Sequence, residues 1–154
     1  QWDTTVAKVL GDATMMSWNQ EAQAAIDLMH DALSQEAGLT DDDFVEVPVF
    51  YEEIDGGKIA YLPDTANIRA IGSGNVVVFA KTFGPMVGGE DVFAKDLLAR
   101  LTDPARKLGA DGKGLDVQFA DSWNYHVLLG DVHCASNWSA LPTAAEPKWW
   151  DAAN

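Results

Sequence analysis

The chain has 154 residues, 47% of them hydrophobic, and its 24 acidic against 10 basic side chains give a formal charge of −14. That apolar content suffices for one domain core, while the negative balance disfavours nucleic acid and anionic membrane surfaces as partners. No stretch has the length and composition of a membrane span or a signal peptide, so the sequence reads as one soluble domain.

Residues 1–16 read as an N-terminal lead-in. Ser17 with Gln20 three positions on has the form of a capping box. From there Ala22, Ala25, Ile26, Met29, Ala32 and Leu33 recur at three- and four-residue spacing, which predicts a helix with one apolar face, stopped at Gly38. His30 falls on that helix, where a surface or packing role is expected. Asp41-Asp42-Asp43 lacks the glycine and glutamate spacing of a calcium loop and reads as a solvated turn. Phe44 to Tyr51 alternates well enough for a strand, confined to an edge or a bulge by Pro48. Gly56-Gly57 predicts a turn into Lys58–Leu62; Ile68–Ile71, Gly72-Ser73-Gly74-Asn75 and Val76–Ala80 predict a hairpin. A second helix is expected from Asp91 to Leu101, with Val92, Leu97, Leu98 and Leu101 on one side. Gly109 to Gly114 is a loop, and Leu115–Ala120 is the strand that leads into the last third. The order helix, strands, helix, strand is an α+β pattern without internal repeats or low-complexity segments.

That last third carries the chemistry. The only cysteine, Cys134, follows His133 in the run Gly130-Asp131-Val132-His133-Cys134-Ala135-Ser136-Asn137. A lone cysteine forms no intrachain disulfide, so the thiol is either packed and inert or reactive. Gly130, Ser136 and Asn137 mark a turn, and a turn can present a thiol to a substrate.

The run Tyr125-His126 through Gly130-Asp131-Val132-His133-Cys134-Ala135-Ser136-Asn137, followed by Pro142 and the terminal Lys148-Trp149-Trp150, resembles the C-terminal end of the protein-arginine deiminases. There the stretch reads Tyr-His, a few residues, then Gly-Glu-Val-His-Cys-Gly-Thr-Asn, and the chain closes on Lys-Trp-Trp. Phe83-Gly84-Pro85-Met86-Val87-Gly88-Gly89 resembles the family's Phe-Gly-Pro-Val-Ile-Asn-Gly. Trp18-Asn19, Gly38-Leu39 and Val47-Pro48 resemble its Trp-Asn helix, Gly-Leu turn and Ile-Pro strand. The likeness runs from Ser17 to Trp150 in four motifs in the right order.

The resemblance implies a pentein propeller built from αββαβ modules, of which residues 17–154 would supply one and a half as the C-terminal portion of a catalytic domain. It implies that Cys134 is the nucleophile in the conversion of peptidyl-arginine to peptidyl-citrulline and ammonia through a covalent thiouronium. It places Leu128 and Leu129 where some members carry basic or histidine residues at the substrate mouth, and His126 and His133 as loop-orienting residues. A free thiol titrates near ~8.5 and must be depressed to react at neutral pH. In so acidic a chain a local cation is expected for this, from His133, His126 or the bound guanidinium.

The family's two guanidinium-gripping aspartates and its His-x-Asp motif have no counterpart here; His30 is followed by Asp31-Ala32. The implied partners are therefore the remainder of a parent deiminase chain and an arginine-containing peptide or protein. No cofactor or metal is assigned to this chain, and calcium dependence, a trait of the animal enzymes, belongs to acidic clusters further upstream. Two other readings stay open: a pentein-derived binding domain without catalysis, and a pentein that modifies small guanidines. The start at Gln1-Trp2-Asp3 leans to a processed or clipped end, and few basic residues with many Asp, Trp and Ala lean to secretion. Asn137-Trp138-Ser139 has the form of a glycosylation sequon, but a glycan there would obstruct the cleft. Trp149-Trp150 is expected to seal the end of the propeller.

Overall fold

In a computed structural model, described over residues 4–71, 75–109 and 111–137, a short helix α1 (Val6–Gly11) turns directly into a long helix α2 (Ala13–Ala37). Asp12 makes the turn. Its carboxylate accepts from the backbone N–H groups of Thr14 at 2.9 Å and Met15 at 3.1 Å, satisfying donors that a helix start leaves open. The helix thus begins ahead of the expected capping box, and Ser17 lies inside it, donating to Glu21. Gly38 ends it at φ 68°, a left-handed conformation that costs glycine nothing sterically.

Only Ala22 of the apolar face is buried; Ile26, Met29 and Leu33 stay 37%, 60% and 48% exposed. They line a broad groove of about 1150 Å3 between α2 and the segment 44–51. Across this groove His30 packs on Phe44 at 4.1 Å between ring centroids.

Strand β1 (Tyr51–Ile54) pairs antiparallel with β2 (Gly57–Ala60) through Asp55 and Gly56, both at positive φ, as a tight hairpin turn requires. The strand expected from Phe44 is not formed before Tyr51. Pro48 lacks a donor, and side chains engage this backbone instead: Arg106 donates to the Phe44 carbonyl and Thr65 to the Pro48 carbonyl. Asn19 fastens α2 to the hairpin. Its amide donates to the Tyr51 carbonyl and its oxygen accepts the Tyr51 N–H, both at 2.9 Å, imitating one rung of a β-ladder.

The central sheet has the order β3-β4-β7. Strand β4 (Val76–Ala80) lies antiparallel to β3 (Arg69–Ile71) and parallel to β7 (Asp116–Ala120), with Phe79 opposite Phe119. A parallel neighbour needs a crossover. Here it consists of the hairpin β5 (Met86–Val87) and β6 (Glu90–Asp91) and the helix α3 (Val92–Thr102). Leu97 and Leu101 of α3 meet Val77 and Phe79 of β4 to form the core. Val92 and Leu98, expected on the same side, stand at its flanks and remain 39% and 37% exposed.

After β7 the chain makes two one-turn helices, α4 (Trp123–His126) and α5 (Val132–Ala135). The architecture is mixed α and β. The loop Gly72-Ser73-Gly74, Trp138 and Ser139 of the sequon, and Pro142, Lys148, Trp149 and Trp150 lie outside the described residues.

Candidate functional site

Cys134 is the third residue of α5, so the thiol is carried on a helical turn, and its side is exposed. A short helix cannot hold its own orientation; three sets of contacts hold this one. Asp131, just before it, is 4% exposed and fully engaged. One carboxylate oxygen accepts the Ser122 hydroxyl at 2.8 Å, and the other accepts the backbone N–H of Asp64 at 2.9 Å and faces Nδ1 of His126 at 3.3 Å. At the other end, Arg69 on β3 donates through Nε to the Ser136 hydroxyl and through Nη2 to the Ser136 carbonyl, each at 3.0 Å. Between them, Oδ1 of Asn67 accepts the backbone N–H of His133 at 2.6 Å and of Cys134 at 3.4 Å, while its nitrogen donates to Sγ of Cys134 at 3.2 Å.

The segment that presents Asn67 is itself rigid. Thr65 is 1% exposed and bonded to the Pro48 carbonyl at 2.7 Å, and the Asp64 carboxylate accepts the Ala66 N–H at 2.8 Å. The Phe83-Gly84-Pro85 segment supports the site from beneath. Phe83 meets Trp123 edge-on at 5.2 Å, and Trp123 packs against His126 at 5.7 Å. Asp91 caps α3 and binds this segment at once: one oxygen accepts from Phe93 and Ala94 N–H, the other from Thr82 and Gly84.

A cleft of about 120 Å3 opens beside the cysteine turn. Its polar wall is Asp64, Asn67, His126 and Asp131, and Leu129 lies at its edge. Burial pushes the Asp64 carboxyl above its ordinary range, and the charge of Asp131 adds to this against the Ala66 N–H. Hydrogen bonds, first from Asn67 and then from the Asp131 backbone, draw the Cys134 thiol below its ordinary value against the opposing charge of Asp131. In the protein without substrate, neutral donors lower the thiol, with neither His133 nor His126 among the groups that do so. A thiol whose ionisation is favoured, bonded to Asn67 in the wall of a cleft that also holds two carboxyl groups, suits attack on a cationic, electron-poor carbon.

Of the residues singled out in the sequence, His126 and Leu129 line this cleft, and Cys134 stands beside it, its sulfur bonded to Asn67 of the cleft wall. Leu128 and Leu129 are 79% and 71% exposed, Leu129 at φ 63°. His133 contributes its backbone N–H to Asn67, and its side chain is exposed. His30 and Asp41, the first residue of the turn Asp41–Asp43, line the α2 groove, with Nε2 of His30 3.7 Å from Asp41. Among the described residues no cluster of three or more His, Cys, Asp or Glu is arranged to hold a metal. The residues that pattern reading missed are Asn67, Asp64, Asp131, Ser122 and Arg69. Asp131 carried a usable signal, an aspartate directly before a short helix; Asn67 carried none.

A family model described as protein-arginine deiminase matches residues 1–151. Among curated proteins the chain is 29% identical over 147 residues to protein-arginine deiminase type-3 of Rattus norvegicus, covering 95% of this chain and 20% of that protein. It is 27% identical over 148 residues to type-1 of Homo sapiens, covering 96% of this chain and 20% of that protein. With type-4 of Rattus norvegicus it shares 26% over 152 residues, 95% of this chain and 21% of that protein. The chain spans about a fifth of the length of the curated relatives it matches.

Proposed function

The chain belongs to the protein-arginine deiminase family, and on that premise we propose that residues 17–154 are the nucleophile-bearing C-terminal portion of a deiminase catalytic domain, a pentein-propeller fragment. The observation that carries this reading is Cys134, exposed on α5 beside the cleft, with its thiol bonded to Asn67 of the cleft wall and drawn toward ionisation by it.

In this reading the Cys134 thiolate attacks the guanidinium carbon of a peptidyl arginine. Ammonia leaves with a proton from an acid, and a thiouronium joins sulfur to the substrate. Water then adds to the same carbon, the carbon–sulfur bond breaks, and peptidyl-citrulline departs. The histidine that moves the protons and the aspartates that grip the guanidinium come from the remainder of the parent chain, the first partner of this segment. The second partner is an arginine-containing protein or peptide. No cofactor is assigned to residues 1–154, and calcium acts, where it does, on the upstream part. His126 and His133 orient the cysteine turn, and Leu128 and Leu129 offer an apolar rim at the substrate mouth.

The test pairs citrulline release with peptide affinity in the full-length protein, wild type against Cys134→Ser. Serine is a far weaker nucleophile in nearly the same volume. Turnover is expected to fall by several orders of magnitude with binding retained, on the scale of other lost nucleophiles. Retained turnover overturns the nucleophile assignment. A binding module without catalysis would show affinity in both forms and turnover in neither.

A further inference from the structure

We propose that Asn67 is a positioning residue for Cys134: the oxygen of its amide holds α5 and the nitrogen holds the sulfur. The inference rests on the reading of Cys134 as nucleophile and adds the group that keeps the thiolate ready.

Which end of the amide faces which partner follows from the chemistry of the partners. Backbone N–H groups only donate, so the two from His133 and Cys134 require the oxygen. The NH2 group is then left facing Sγ at 3.2 Å. The oxygen also fills a gap in the helix. Asp131 at the N-cap makes no side-chain bond to the first turn, because its carboxylate is taken by Ser122 and Asp64, and Asn67 reaches in from another segment to satisfy those donors. Asn67 is held in turn, its own N–H donating to the Asp64 carbonyl at 3.2 Å while the Asp64 N–H is tied to Asp131.

The titratable and charged groups around the thiol point the same way. Asp131 opposes ionisation. Arg69, on β3, is occupied by the carbonyls of His133 and Ser136. His126 and Asp64 stand behind Asp131, and the His133 side chain is exposed. Among the described residues the side chain that donates to the sulfur is Asn67. A donor of that kind favours thiolate over thiol.

The experiment is the pH dependence of iodoacetamide alkylation at Cys134 in the full-length protein, read by peptide mass spectrometry, for wild type, Asn67→Asp and Asn67→Ala. Asn67→Asp keeps an acceptor for the α5 N–H groups and replaces the donor with a negatively charged oxygen. Because the new carboxylate repels the thiolate in any case, the discriminating variant is Asn67→Ala: a merely structural role leaves its midpoint unchanged, whereas the positioning role moves it upward by about one unit or more, and Asn67→Asp moves it at least as far. The wild-type midpoint is expected below the free-thiol value of ~8.5. An unshifted Asn67→Ala midpoint, or a wild-type midpoint at or above the free-thiol value, overturns the proposal. Should the alanine variant misfold for want of an acceptor to the α5 N–H groups, Asn67→Asp keeps that acceptor, and an unshifted midpoint there also overturns the proposal. Alkylation requires no substrate, so a deiminase reading that fails in Cys134→Ser leaves this result standing, and the reverse also holds.

Discussion

Asp131 and Asp64 lie 67 positions apart, and the carboxylate of the first accepts the backbone N–H of the second at 2.9 Å. The bond joins the cysteine turn to the segment that carries Asn67. Asp131 also receives Ser122 and His126, so it organises the cleft from a position of 4% exposure.

Removing it leaves the Ser122 hydroxyl and the Asp64 N–H without their acceptor. Asp131→Ala is expected to cost about 2–4 kcal/mol of stability, the range for a buried polar network losing its centre. Asp131→Asn, which keeps one oxygen, should cost less. Urea denaturation measures both, and an alanine variant as stable as wild type would show that the network adds nothing.

Asp64 yields a pH prediction of definite sign. Burial raises its carboxyl pKa in the folded state, so the folded protein holds this proton more tightly than the unfolded chain does. Its contribution is most favourable when protonated and declines as pH rises from the ordinary carboxylate value, ~3.9, through the raised folded value. Asp64→Asn resembles the protonated form and can still accept the Ala66 N–H. The variant is expected to melt higher than wild type at neutral pH, with the gap closing below that ordinary value. A lower melting temperature at neutral pH would contradict the burial argument.

Gly84 is required by packing. A Cβ there would stand 2.5 Å from Oδ1 of Asp91 and 2.8 Å from Cγ of Phe93. Asp91 must stay to cap α3, and Phe93 packs toward Phe50 at 6.3 Å, so neither side can give way freely. Gly84→Ala should destabilise by about 1–3 kcal/mol, as overpacking does. Thermal denaturation reads the loss, and a neutral result would mean that the segment shifts as a body.

Residues 1–154 alone should release no citrulline from an arginine peptide and should self-associate. The chain has no His-x-Asp motif. Leu28, Met29 and Leu33 on α2 and Val127, Leu128 and Leu129 after α4 are 48–79% exposed, the kind of apolar surface that marks an interface. Turnover at the rate of the full-length protein, or a monodisperse monomer in sedimentation, would each count against the fragment reading.

What the sequence by itself determined is the set of features decided within a few residues of chain. Gly38 stops α2 and Gly56 turns the first hairpin because each needs a left-handed backbone, and α3 forms where Leu97 and Leu101 repeat at helical spacing. Gly130, Ser136 and Asn137 marked a break in regular structure around Cys134, and the thiol lies on the one-turn helix α5 between them. Tertiary structure decided the rest. The alternation from Phe44 suggests a strand, but strand formation needs a partner edge, and Arg106 and Thr65 reach the carbonyls of Phe44 and Pro48 instead. The apolar stripe of α2 predicts its helix but not whether a neighbour covers it. The thiol shows the division most clearly: sequence composition called for a cation from a histidine or the substrate, whereas the side chain that donates to the sulfur within the chain is a neutral asparagine 67 positions away. No local pattern encodes such a contact, because it arises only when the turn after β2 and the helix after α4 fold against the same cleft.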